Sequence, residues 1–375
     1  MKLKNPFIIT GYQSPQYFCD RTKETKKIVS AIENQRNLTL FSLRRLGKTS
    51  LIHHVFYKLN KGKDHQTVYC DIMPTSNLSD FVDAFGTAVA RKLGKEPIQF
   101  YKKLSNFFTK IRPQINFDIS TGEPTLEFRI KNEREGFKSI EDIFNCLEYQ
   151  SKKKYIVVAF DEFQQILNYP EKNVLALLRS KIQFLNKVNF IFSGSKKHML
   201  LSIFYQNNMP FYRSTEFMMI DKIDRLEYFE FINRLFKENK IKVKDDDIYY
   251  ILDWTYIHTY YTQCLCNKIY AGGSKVINTS VINEIMDEIL KDYENIIYGY
   301  RELITPQQWQ LLKAIGRERG ISKPTGINFC KKYDLNGPSS IKRSLNALLD
   351  KDLIFEEKGT YYVYDVFLAK WFERI

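Results

Sequence analysis

Leu38-Thr39-Leu40-Phe41-Ser42-Leu43-Arg44-Arg45-Leu46-Gly47-Lys48-Thr49-Ser50-Leu51 is the most informative segment of the sequence. Its first four residues suit a short buried strand, and a loop rich in cations follows. Leu51, Ile52, Val55, Phe56 and Leu59 then recur at the spacing of one helix face. Strand, tight loop and helix N-terminus in that order make a phosphate cradle, because unpaired N–H groups and the positive end of the helix dipole face an anion. In the pattern G-x-x-x-x-G-K-[ST], Lys48 reaches the β and γ phosphates and the Thr49 hydroxyl joins a Mg²⁺ ion. Ser42 stands where that pattern has its first glycine, a turn that glycine eases. The expected nucleotide-contacting residues are Ser42, Leu43, Arg44, Arg45, Leu46, Gly47, Lys48, Thr49 and Ser50, with ATP and Mg²⁺ as cofactors.

A second element completes such a site. Tyr155-Ile156-Val157-Val158-Ala159-Phe160 reads as a central strand that ends in Asp161-Glu162. A carboxylate at a strand's carboxyl end suits a hard cation, so Asp161 is the expected Mg²⁺ partner with Thr49. Glu162, the next residue, is placed to orient an attacking water. A candidate strand stands between Lys48 and Asp161, so the Asp161 strand need not directly follow the phosphate loop. That spacing and the adjacent glutamate favour a hydrolase of the additional-strand type over small-molecule kinases and GTPases. An Asn-Lys-x-Asp for reading guanine does not occur.

Further out, short β-branched runs alternate with helical stretches, the pattern of a parallel sheet covered on both faces. Strands are predicted at 38–41, 67–72, 155–160, 188–193 and 216–220, each nearly continuously apolar, as buried parallel strands are. Residues 78–150 form a long excursion: a helix with Phe81, Phe85, Val89 and Leu93 on its buried side, then a hairpin over 116–130, read as an insertion. From about 226 the pattern is helical, over 226–238, 246–256, 260–270 and 281–298. Thr305 is a predicted N-cap with Pro306 at the first helical position. The expected domains are a P-loop core over 1–222, a helical lid over 223–302 and a small C-terminal domain over 303–375.

Composition sets limits. The 375 residues exceed one ordinary core, and 44% hydrophobic with 27% charged residues describes a globular chain. No run of 18 apolar residues could span a bilayer and the first ten residues do not resemble a secretory signal, so no membrane association and a cytoplasmic location are expected. Of the six cysteines only Cys264 and Cys266 are close, and two positions apart on a helix they point to different faces. Buried thiols are expected. The formal charge of +14 favours a polyanionic partner, although a solvated basic surface reads the same way.

Four segments carry a more specific likeness. Arg44-Arg45-Leu46-Gly47-Lys48-Thr49-Ser50-Leu51, Phe18-Cys19-Asp20-Arg21-Thr22-Lys23-Glu24, the strand end Phe192-Ser193-Gly194-Ser195, and Phe211-Tyr212-Arg213 together resemble the archaeal-type ATPases of the STAND branch of the AAA+ superfamily. The resemblance covers nearly the whole chain. Thr305-Pro306-Gln307-Gln308-Trp309 and Leu348-Leu349-Asp350-Lys351-Asp352-Leu353-Ile354 resemble the winged helix that ends many such proteins. The family likeness implies an ATP-hydrolysing switch in which Lys48 and Glu162 serve catalysis and Arg21 joins the nucleotide-binding residues. It implies γ-phosphate sensing by Ser193, against the alternative of a buried capping serine. It implies a phosphate contact from Arg213, within its chain or across a homo-oligomer, against a plain surface arginine. The lid of such proteins often carries Gly-x-Pro, which the matching stretch Ile257-His258-Thr259-Tyr260-Tyr261 lacks. His53 and His54 are expected to pack or to face solvent.

In the tail, helices are predicted from 306, over 325–333 and over 339–350, with a hairpin over 353–357 and 360–364. On the third helix Ile341, Leu345, Leu348 and Leu349 form the buried stripe, which leaves Lys342, Arg343 and Asn346 outward for DNA or a protein partner. The 12 basic and 8 acidic residues of 303–375 make this domain only mildly basic. Two other functions stay open: a non-hydrolysing nucleotide-dependent binding module, and a DNA-binding regulator.

Overall fold

A computed structural model describes residues 3–19, 21–93, 113–118, 122 and 124–374. Asp20 of the N-terminal segment, the Leu93 side chain, 94–112 of the excursion, 119–121 and 123 of the expected hairpin, and residues 1, 2 and 375 lie outside the described residues. The chain divides into two compact units. One is Gly11–Asp221; in the other, Met1–Thr10 groups with Lys222–Ile375 rather than with the core to which the sequence assigns it.

The first unit runs α1 (Thr22–Glu33), β1 (Leu38–Phe41), α2 (Lys48–Lys61), β2 (His65–Asp71), α3 (Leu78–Leu93), β3 (Gln114–Phe117), β4 (Pro124–Glu127), α4 (Glu133–Ser151) and β5 (Tyr155–Asp161). A 3₁₀ turn at Phe163–Asn168, α5 (Val174–Ile182), β6 (Val188–Gly194), α6 (Lys197–Tyr205) and β7 (Glu216–Met219) follow. Five strands form one parallel sheet in the order β2-β5-β6-β1-β7. The additional strand β6 therefore separates the phosphate-loop strand from the Asp161 strand, as the spacing predicts.

Period-two alternation sends each strand's side chains to both faces. Ile156, Val158, Phe160, Phe190 and Phe192 join the helices α3 to α6 in one core, while Val157, Ala159, Ile191, Leu38 and Leu40 join α1 and α2 in another. The first core is strongly aromatic. Phe160, fully buried, has the rings of Phe81, Phe85, Phe163, Phe190 and Phe192 within 4.9–6.3 Å, and burying one such ring contributes about 1.5–3 kcal/mol. The expectation of continuous burial holds for β1, β5 and β6 and fails at β7, whose residues are exposed or half-buried. As a sheet edge, β7 has a neighbour on one side only.

Strands β3 and β4 pair antiparallel, with Ile115 opposite Leu126, and form the expected hairpin. Leu126 and Phe128 enter the aromatic core against α3. Gly86 on α3 permits this: a Cβ there would meet the Phe128 ring at 2.8 Å.

The second unit comprises α7 (Arg225–Glu238), β8 (Lys242–Val243), α8 (Asp245–Trp254), α9 (Thr259–Ala271), β9 (Val276–Ile277), α10 (Thr279–Glu302), α11 (Pro306–Arg317), α12 (Ile327–Lys332), α13 (Pro338–Asp350), β10 (Ile354–Glu357), β11 (Thr360–Val363) and α14 (Val366–Arg374). The four predicted lid helices are present, joined by a short parallel pair, β8 with β9, that the sequence does not reveal. Phe7 packs on Phe236 at 4.9 Å, and Asn267 Nδ2 donates to the Phe7 carbonyl at 2.7 Å, which ties the N-terminal segment to α7 and α9. Where Gly-x-Pro is lacking, Tyr256 and Ile257 take φ of 52° and 56°, a left-handed turn made without glycine.

The tail is three helices and a hairpin, closed by α14, which sequence periodicity misses. Thr305 and Gln308 form a full capping box with Pro306 at the first helical position. Ile341, Leu345 and Leu348 are buried as predicted, together with Leu368, Ala369 and Phe372 of α14. Ile297 of α10 belongs to the same core, so the lid's last helix continues into the winged helix without a linker.

Candidate functional site

Helix α2 begins at the phosphate loop, with Gly47 as its N-cap at φ 90°, a conformation that glycine adopts without strain. The other left-handed residue of the loop is Arg45, at φ 63°. Ser42 is not among the described residues with positive φ, so the missing first glycine has no conformational penalty to relieve. Instead Ser42 is buried, donates its N–H to the Gly194 carbonyl at 3.4 Å and its hydroxyl to the Leu43 carbonyl at 2.9 Å. Leu46 is buried and Leu43 half-buried against the aromatic core, while Arg44 and Arg45 are exposed.

Arg21 is 3% exposed, and its guanidinium donates to the Leu46 carbonyl at 2.9 Å and to Glu24 at 3.2 Å. It braces the loop through the Leu46 backbone. Ser50 likewise turns aside, donating to the Gly11 carbonyl at 3.0 Å.

Lys48, Thr49, Asp161 and Glu162 converge. Lys48 Nζ lies 3.1 Å from Glu162 Oε1 and 3.5 Å from Asp161 Oδ1, and Thr49 Oγ1 donates to Asp161 Oδ2 at 2.6 Å. Asp161 also accepts from Tyr69 at 2.8 Å, from Ser193 at 2.5 Å and from the Glu162 N–H at 3.0 Å. Burial pushes its carboxyl up, but the Lys48 charge and the bonds from Ser193, Thr49 and Tyr69 outweigh burial and hold it below the usual carboxylate range. Burial, and then the Asp161 charge, raise the Tyr69 phenol, so this hydroxyl stays a donor. His53 rests on the Tyr69 ring at 4.5 Å, and burial lowers its pKa. His54 stacks on Phe18 at 4.4 Å; both histidines pack, as expected.

Sheet register explains the convergence. Leu40 pairs with Ser193 and Phe41 with Gly194, so the loop leaves β1 beside the end of β6; Phe160 pairs with Phe192, so Asp161 follows on β5. Ser193, fully buried, bonds Asp161 from behind. The residue of this strand end that reaches Glu162 is Ser195, whose hydroxyl donates to Oε2 at 3.0 Å. Arg213 is exposed at φ 50°, with its guanidinium 5.2 Å from the Tyr212 ring. Tyr69, Gln164 and Ser195 were invisible as site residues, because only the order and register of the strands bring them to the two carboxylates.

The donor set fits Mg²⁺ and a polyphosphate. A hydroxyl and an ionised carboxylate stand 2.6 Å apart at the start of the helix, and Mg²⁺ is commonly held by one or two carboxylates plus phosphate oxygens. Among the described residues no cluster of three or more His, Cys, Asp or Glu could hold a metal by itself, and no helix is long and apolar enough to cross a membrane.

Comparison with known proteins gives the family and the fold. Residues 18–257 match the family model described as an ATPase domain predominantly from Archaea, and residues 292–374 match a probable winged helix domain. No curated protein sequence matches the chain. Among solved structures it resembles the Walker-type ATPase PABY2304 of Pyrococcus abyssi, with a TM-score of 0.67 at 19% identity over 99% of this chain and 100% of that one. It also resembles the Aeropyrum pernix ORC2 protein in ADPNP–ADP complexes, with a TM-score of 0.61 at 13% identity over 98% and 95% of the two chains. The Aeropyrum pernix ORC1 protein in complex with DNA has a TM-score of 0.52 at 9% identity over 99% and 96%. At these identities the likeness establishes the fold. With the family model spanning most of its length, the chain belongs to the ATPase family found predominantly in Archaea, in a form that ends in a winged helix.

Proposed function

We propose that the chain binds ATP with Mg²⁺ and hydrolyses it as a molecular switch of the STAND type, the nucleotide state governing what the winged helix engages. One observation carries this: the loop cation, the loop hydroxyl and two adjacent strand-end carboxylates meet within 3.5 Å. Lys48 would neutralise the β and γ phosphates. Thr49 and Asp161 would hold Mg²⁺, which supplies positive charge to the transferring phosphoryl group when bound. Glu162 would orient and polarise the attacking water. Arg213, which is exposed, would contact phosphate within its own chain or across a homo-oligomer on the site of a second copy.

Replacing Glu162 by Gln tests the proposal, since it keeps shape and removes the charge that acts on water. ATP should bind as in the parent while hydrolysis falls by about 10²–10⁴-fold, the loss expected for a general base. Parental turnover in Glu162→Gln would remove Glu162 from the chemistry, and no Mg²⁺-dependent turnover in the parent with or without duplex DNA would favour a non-hydrolysing binding module.

DNA is the partner favoured by a second observation. Lys342, Arg343 and Asn346 are exposed on α13, the position from which a winged helix meets a groove, and the ORC1 neighbour is bound to DNA. The mixed charge of the tail also suits a protein partner, and DNA-dependent turnover separates the two.

A further inference from the structure

Glu162 follows β5 in a left-handed conformation, at φ 53°, and opens the 3₁₀ turn Phe163–Asn168. One oxygen, Oε1, faces Lys48 at 3.1 Å. The other, Oε2, accepts from Ser195 Oγ at 3.0 Å, from the Ser195 N–H at 3.3 Å and from Gln164 Nε2 at 2.5 Å.

Gln164 is 4% exposed, and its Oε1 has no hydrogen-bond partner. A buried orphan acceptor costs about 1–3 kcal/mol, and rotating the amide end for end could move the cost but not remove it. The rotated form would set Oε1 against Glu162 Oε2, acceptor on acceptor, so the orientation with Nε2 on Glu162 is the favoured one.

Gly194 fixes the other side of the amide. A Cβ at that position would stand 2.0 Å from Gln164 Oε1 and 3.1 Å from its Cδ. Gly194 is not among the residues with positive φ. Glycine is therefore needed there for space, so that the β6 backbone can press on the Gln164 amide.

We propose that Gln164, wedged against Gly194, is a positioning residue that locks the Glu162 carboxylate with one oxygen turned toward the Lys48 side of the site. This rests on the reading of Glu162 as the group that acts on water. A glutamine that only filled the core would be replaced without kinetic effect by methionine, which has similar length and volume and no donor.

The test uses full-length Gln164→Met, Glu162→Gln and the double variant, with steady-state ATP turnover and ATP affinity measured by calorimetry. Gln164→Met should lower kcat by about 10- to 100-fold, the loss expected when a catalytic group drifts by about an ångström. ATP affinity should stay within about twofold and the thermal midpoint should not fall, because the orphan oxygen leaves with the amide. In the Glu162→Gln background the same change should cost nothing further. Gly194→Ala, which displaces the amide while keeping its chemistry, should reproduce the loss. Parental kcat in Gln164→Met, or a full additional loss on top of Glu162→Gln, would overturn this proposal alone. A parent without turnover would overturn the ATPase reading and this proposal with it, whereas an unaffected Glu162→Gln in an active parent would remove Glu162 from the chemistry and overturn this proposal.

Discussion

Replacing Lys48 by alanine removes the cation between two carboxylates, and its effect extends beyond ligand binding. Lys48 is 7% exposed and Asp161 3%. At the 3.5 Å separation of Nζ and Oδ1, and an effective dielectric of about 20, the attraction is about 5 kcal/mol before desolvation is counted. Desolvation offsets most of it in the intact pair, but deleting one partner leaves a buried charge uncompensated, at a cost of about 3–5 kcal/mol. Three hydroxyls and one N–H still bond Asp161, so the lower end, about 3 kcal/mol at pH 7, is expected. The pH dependence has a definite sign. In the parent the Asp161 carboxyl is held low, so its stabilisation is present above the unfolded pKa of about 4 and is lost as pH falls through the folded value. Without Lys48 the largest of the influences that lower the carboxyl is gone, so it titrates higher than in the parent. The deficit of Lys48→Ala should therefore be largest at neutral pH and shrink as pH falls far enough to protonate Asp161. Urea unfolding over an acid-to-neutral pH series measures this. ATP with Mg²⁺ at about 100 times its Kd should stabilise the parent by about 2.7 kcal/mol and leave the variant unmoved. A Lys48→Ala protein as stable as the parent at pH 7, or one that binds ATP with micromolar affinity in calorimetry, would refute the reasoning.

Tyr69→Phe removes one donor from Asp161 Oδ2 and should raise the Mg²⁺ concentration that half-saturates ATP binding severalfold while leaving Mg²⁺-free binding unchanged; identical Mg²⁺ titrations would contradict a role for Tyr69 at the metal site. Changing Lys342 and Arg343 together to Ala should weaken binding to duplex DNA and reduce the slope of log affinity against log salt by about 2, one for each phosphate no longer neutralised. An unchanged slope would leave the winged helix without a DNA role on this face.

Much of the architecture was legible because the relevant signals are local. The phosphate loop, its strand and its helix occupy one continuous segment; so do the β5 strand and its two carboxylates, and the capping box at Thr305. A leucine stripe on α13 needs only the helical period. Other features depended on neighbours distant in sequence. Helix α14 is short and mostly buried on both sides of Phe367 and Leu368, so its pattern resembles a strand's as much as a helix's. The pair β8 and β9 has two residues per strand, too few to show a period. Arg21 reads as a nucleotide contact because its motif precedes a phosphate loop; which side of the loop it supports depends on packing against Leu46.

The chemistry available could be read locally: a cation and a hydroxyl at a helix start, and two carboxylates at a strand end, each set by backbone conformation over a few residues. How those groups are held depends on the packed sheet. By inserting β6 between β1 and β5, the sheet brings Ser193 behind Asp161 and Ser195 onto Glu162, and presses Gly194 against Gln164. Strand order and register join residues far apart in the chain, and no local periodicity encodes which two strands will be neighbours.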